Sequence, residues 1–138
     1  MKSQLLQRIG TGAVTAEDFH PKVAMARGLL ILDENVFFLK APLESKRFRV
    51  RVVQASLKDD QIAGMLAHRI FVTNNADDFR QYAAEEEFSI IDTSKASQEP
   101  EGLASMISEA WIRLQLRGKQ PFILRLMRNG RHTLEDIE

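Results

Sequence analysis

What most restricts the fold of this chain is a rhythm. Short apolar runs stop at polar or acidic residues, and each is followed by a segment with helical spacing. "LLILDEN", residues 29–35, is a continuous apolar run ending at Asp33, the pattern of a strand buried on both faces. "RFRVRVV" alternates strictly, with Phe48, Val50 and Val52 on one face and Arg47, Arg49 and Arg51 on the other, which predicts a strand with one charged side. "IFVTN" and "FSIIDT" are two more strands. "VFFLKAPLESK", "KDDQIAGMLAH" and "DDFRQYAAEEE" read as the helices between them. Pro42 implies a break or a new first turn in the first of these. In the second, Ile62, Met65 and Leu66 share one face.

After "SKASQEPEG", Leu103, Met106, Ile107, Ala110, Trp111 and Leu114 recur at the spacing of an amphipathic helix. Asn129-Gly130, between two apolar stretches, is a strong hairpin signal. Strands alternating with helices imply βαβ units. The expectation is an α/β fold, a three-layer α/β/α sandwich with a mainly parallel central sheet and a C-terminal hairpin.

A chain of 138 residues is one domain by size, able to bury a sizeable core. Residues 28–138 carry the pattern, and residues 1–27 read as a short helical or irregular arm. Lysine plus arginine equals aspartate plus glutamate, 19 of each, so partners must be inferred from local charge. The absence of cysteine excludes disulfides, a thiol nucleophile and zinc-thiolate sites. The start lacks the apolar core of a signal peptide, and no run approaches the roughly 18 apolar residues of a membrane helix. Those features predict a soluble, cytoplasmic protein.

Parallel strands place sites beyond their carboxyl ends. Asp33 follows the first strand, Asp59 and Asp60 open the helix after the second, and Asn75, Asp77 and Asp78 follow the third. Taken singly, each of the helix-opening acids is explained by capping or by the helix dipole. Taken together, they predict carboxylates converging on one sheet edge, where repulsion calls for a compensating cation. Hard oxygen ligands favour Mg2+ or Mn2+ over zinc. Such an ion, held by aspartates and waters, polarises a phosphoryl oxygen and helps generate the attacking hydroxide in phosphodiester hydrolysis.

"LLILDEN", "LKDDQIAGMLAHRIFVTNNADDF" and "GKQPFILRLMRNGRHTLED" together resemble the small bacterial PIN-like proteins. These are a branch of the PIN-domain ribonucleases that includes many toxins of toxin-antitoxin pairs. Asp33 matches the acid of the family's "DEN", Asp59 that of its "DxxI", and Thr73, Asn75, Asp78 and Phe79 its "TxNxxDF". Asn75 stands where many PIN-like members have an aspartate. The glutamate that many PIN nucleases carry after the first strand has no clear counterpart; Glu34 or Glu44 would have to substitute. The resemblance implies a metal-dependent endoribonuclease in which Asp33, Asp59 and Asp78 hold Mg2+ or Mn2+, supported by Thr73, Asn75, Glu34, Asp60 and Asp77. It implies an RNA substrate and a cognate antitoxin as partners, no membrane, and compatibility with a homodimer. Arg47, Arg49 and Arg51 on one strand, and Arg125, Arg128 and Arg131 near the C-terminus, are candidates to hold RNA phosphates, with an ordinary solvated face as the alternative. Two other classes compete. One is a PIN-like protein without activity that binds nucleic acid or protein; the other is a receiver-like signalling domain, whose phosphorylatable aspartate "VTNNADDF" does not resemble.

Overall fold

The computed structural model describes residues 27–54, 56–116 and 121–137. The expectation of an arm over residues 1–27 lies outside them, apart from Arg27. The strands are β1 (Leu29–Leu32), β2 (Arg49–Val52), β3 (Ile70–Thr73), β4 (Ser89–Lys95), β5 (Phe122–Met127) and β6 (His132–Asp136). The helices are a 3-10 segment (Glu34–Leu39) running into α1 (Lys40–Ser45), then α2 (Asp59–Ala63), α3 (Ala76–Glu86) and α4 (Pro100–Arg113). They form one six-stranded sheet in the order β2-β1-β3-β4-β5-β6. Every pairing is parallel except β5 with β6, the antiparallel hairpin around Asn129-Gly130. The expected α/β class, parallel sheet and C-terminal hairpin are all present. Among the described residues, no helix is long and apolar enough to cross a membrane.

Each strand sends alternate side chains into two cores. Leu30, Leu32, Val72, Ile91 and Leu124 pack under α1 and α4, against Leu43, Leu103, Ile107 and Trp111. Ile31, Phe71, Ile90 and Ile123 pack under α2 and α3, against Ile62, Phe79 and Ala83. Burial on both faces explains why β1 and β3 read as unbroken apolar runs. Phe71 and Phe79 meet edge to face at 4.8 Å, which ties α3 to the middle of the sheet.

Two expectations are corrected. "KDDQIAGMLAH" is helical only over Asp59–Ala63. The chain then tightens, with Met65 N–H donating to the Ile62 carbonyl and Leu66 N–H to that of Ala63. That places Leu66 fully inside but leaves Met65 half exposed. The strand expected over "RFRVRVV" is Arg49–Val52, because Arg47 sits in a left-handed conformation that turns the chain into it. Pro42 lies in the first turn of α1, where a missing N–H costs nothing.

Helix α3 ends at Glu87, a non-glycine residue with φ of +59°. Glycine suits that conformation better, so Glu87→Gly should raise stability by about 0.5–1 kcal/mol in urea melts. A decrease would show that the Glu87 side chain contributes more than its backbone strain costs.

Candidate functional site

The chain reverses its direction of travel across the sheet between β1 and β3. One connection leaves β1 toward β2 over one face, and the next returns past β1 to β3 over the other. Neighbouring connections that diverge leave a crevice beyond the carboxyl ends of these two strands. Asp33 and Thr73 stand there.

Asp33 directly follows β1 and is 7 % exposed, although it is a carboxylate. Both of its oxygens have donors. The Glu34 N–H donates to Oδ1 at 2.8 Å, and the fully buried Thr73 hydroxyl donates to Oδ2 at 2.7 Å. The Thr73 oxygen in turn accepts the Asn75 N–H at 2.9 Å. One hydroxyl therefore links the acid after β1 to the turn that starts α3. Burying a carboxylate is tolerable when it is hydrogen-bonded in this way.

Asp77 and Asp78 lie in the exposed first turn of α3, and Asp59 and Asp60 in that of α2. Those positions suit negative charge near a helix N-terminus. The Asp60 carboxylate accepts the Gln61 N–H at 3.0 Å, a local role. Glu34 is exposed in the 3-10 turn. Asn75 is the N-cap residue of α3, but its side chain makes no capping bond. A polar cleft of about 220 Å³ at this edge is lined by Asn74, Asn75, Asp77, Asp78, Asp92 and Ser94; Asp33 and Asp59 do not line it. Among the described residues, no group of three or more histidine, aspartate or glutamate side chains is placed to hold a metal ion.

Asp92, which reads in the sequence as a cap or loop residue, is 2 % exposed at the position directly across from Thr73. The Arg125 guanidinium reaches it at 2.8 Å from the neighbouring strand, and Ser94 donates to its other oxygen from both N–H and hydroxyl. Arg125 also lies 3.6 Å from Asp77 and 3.7 Å from Glu135. Its charge is therefore spent on three carboxylates rather than left open to a phosphate. The Arg80 side chain hydrogen-bonds Glu135, and that bond holds the Glu135 carboxyl below the usual carboxylate range. The stabilisation it brings is present above the ordinary glutamate pKa and is lost as pH falls through the lowered one. The pair is half exposed, so the effect is at most about 1 kcal/mol. Beside the crevice, the Thr93 hydroxyl donates to the Asn74 side-chain oxygen, and Gln98 ties the same loop to the Thr93 carbonyl.

The other candidate cations divide into two groups. Arg47, Arg49 and Arg51 are exposed on or beside β2, and Arg128 and Arg131 in the β5–β6 turn. Four strand spacings separate β2 from β5, roughly 19 Å at the usual interstrand distance, so the two groups do not form one patch, and Arg47 and Arg49 lie at the amino end of β2, away from the crevice.

Fold and site together define a doubly wound α/β protein with a polar crevice at the carboxyl edge of its sheet. Compared with protein-family models, with curated proteins and with solved structures, the chain shows no significant match to any.

Proposed function

We propose that this chain is a PIN-like ribonuclease, the toxin of a toxin-antitoxin pair, acting in the cytoplasm on RNA phosphodiesters with Asp33, Asp59 and Asp78 as its essential acids. The reading is supported above all by Asp33, a carboxylate held buried at the strand crossover by the Thr73 hydroxyl. The same carboxylate also caps the 3-10 segment by accepting the Glu34 N–H. Asp78 lines a polar cleft at the same sheet edge, which Asp33 does not line, and Arg128 and Arg131 in the β5–β6 turn offer charge to an RNA backbone. Divalent metal is part of the reading. Mg2+ needs only one or two carboxylates and completes its shell with waters, so the reading requires Asp33, Asp59 and Asp78 to act through such a hydrated ion.

The separation of Asp33 from the cleft that Asp78 lines favours a second reading, a PIN-like protein that binds nucleic acid or protein without cleaving. One experiment separates the two. Purified protein is incubated with single-stranded RNA of mixed sequence in Mn2+, in Mg2+ and in EDTA, beside Asp33→Asn and Asp78→Asn. Cleavage that needs metal and both acids supports the nuclease; RNA retention with no cleavage in any metal supports the binding protein.

Melting curves give an independent check. A metal that binds only the folded state stabilises it by about 2.7 kcal/mol at a hundred times its Kd. Asp59→Asn should erase that response if Asp59 is a ligand. If Asp59 only favours the start of α2, Asn serves nearly as well, and the response to metal should be unchanged.

A further inference from the structure

Among the described residues, strand β2 ends the sheet and nothing pairs with its outer edge. Arg49 donates its N–H to the Gly28 carbonyl and Val53 to that of Leu32, so by alternation the peptide groups of Val50 and Val52 point outward. Beside this edge lies an apolar groove of about 410 Å³. Val53 and Leu66 are buried in its floor, Met65 and Val52 are exposed along it, and Arg51 and Arg69 are exposed at its rim. Arg49, Arg51 and Arg69 pair with no carboxylate among the described residues.

We propose that the β2 edge and this groove form a docking surface for an extended acidic and apolar segment of another protein, which adds as a seventh strand. The inference concerns a different surface from the crevice and does not rest on the nuclease reading. An added strand would meet the outward peptide groups with its own backbone. On one face its acidic side chains would lie opposite Arg49 and Arg51, and on the other its apolar ones would lie against Val50 and Val52. The groove opens on the Arg51 face, beside Ile31 and Val53, so an apolar residue placed on the acidic face just past the last acid would cover Met65. Nucleic acid offers the negative charge but neither the strand hydrogen bonds nor aliphatic side chains, which is why the peptide is favoured.

The test uses the full chain and a fluorescein-labelled peptide of alternating glutamate and valine with a phenylalanine at each end. A peptide of the same residues in blocked order, and an oligouridine RNA, serve as comparisons. Anisotropy should show the alternating peptide binding more tightly than the blocked one. Val52→Pro removes one outward donor at an edge position that tolerates proline, and should weaken binding about fivefold to tenfold, as expected for one hydrogen bond. Arg51→Glu and Met65→Asp should each weaken it at least as much, with the melting temperature of every variant close to that of wild type. Equal binding of the blocked peptide would reduce the attraction to charge alone and overturn the proposal. Indifference to Val52→Pro in a folded variant, or displacement of the peptide by oligouridine, would also overturn it. So would a dimer of the chain that dissociates in Val52→Pro, since a second copy would then be the occupant.

Discussion

Thr73→Val is expected to destabilise the protein by about 2–4 kcal/mol, because two hydrogen bonds lose their shared hydroxyl inside the protein. Valine nearly matches threonine in volume, so no cavity complicates the measurement. One lost bond is charge-assisted, to Asp33 Oδ2, and the other leaves the Asn75 N–H at the start of α3 without its acceptor. Thr73 is fully buried, so water cannot replace either partner easily. Asp33→Asn should cost less. Its amide oxygen can keep the Glu34 N–H while the amide nitrogen donates to a rotated Thr73 hydroxyl. The double variant should then lie well above the sum of the two single losses in stability, which urea melts of all four proteins would show. If the proposed function holds, Thr73→Val should also depress RNA cleavage through a displaced Asp33, even under conditions where the variant is fully folded. A stability loss below about 0.5 kcal/mol would mean that the hydroxyl linkage contributes little to the fold.

The sequence shows the strands β1, β3 and β4 plainly because each is buried on both faces, and a short apolar run bounded by polar residues has few other folds. Helices α3 and α4 and the Asn129-Gly130 hairpin are legible for the same reason: local pattern and tertiary burial agree there. Helix α2 is less so. Ile62, Met65 and Leu66 have helical spacing, yet consecutive tight turns after Ala63 bury Leu66 equally well and leave Met65 outside. Spacing alone does not distinguish those two backbones.

The site was readable one residue at a time but not in its pairings. Asp33 and Thr73 are 40 positions apart, and only the adjacency of β1 and β3 joins them. Asp92 and Arg125 are directly opposite on β4 and β5, which turns an expected loop acid and an expected phosphate ligand into a buried ion pair. The sequence did hold one clue to Asp92, since it follows "FSII" much as Asp33 follows "LLIL". What no spacing could show is whether acids at three strand ends face one another or open three separate helices.

Gly28→Ala should lower stability by about 2–4 kcal/mol, combining overpacking with an unfavourable backbone conformation. Gly28 has φ of +155°, and a Cβ there would stand 2.9 Å from Trp111 Cζ2 and 3.0 Å from Cη2. The indole cannot yield readily. It is 6 % exposed and packs edge-on against Phe48 with ring centres 5.2 Å apart. Gly28 also precedes β1, whose register against β2 and β3 aligns Asp33 with Thr73. Any shift that relieves the clash therefore moves the crevice as well. Trp111→Phe removes the colliding atoms, and alone it should be destabilising through the cavity it leaves. Combined with Gly28→Ala, it should recover at least about 1 kcal/mol relative to the sum of the two changes. Strict additivity in urea melts would mean that β1 does not abut the indole as described, and that the cost of Gly28→Ala is backbone strain alone.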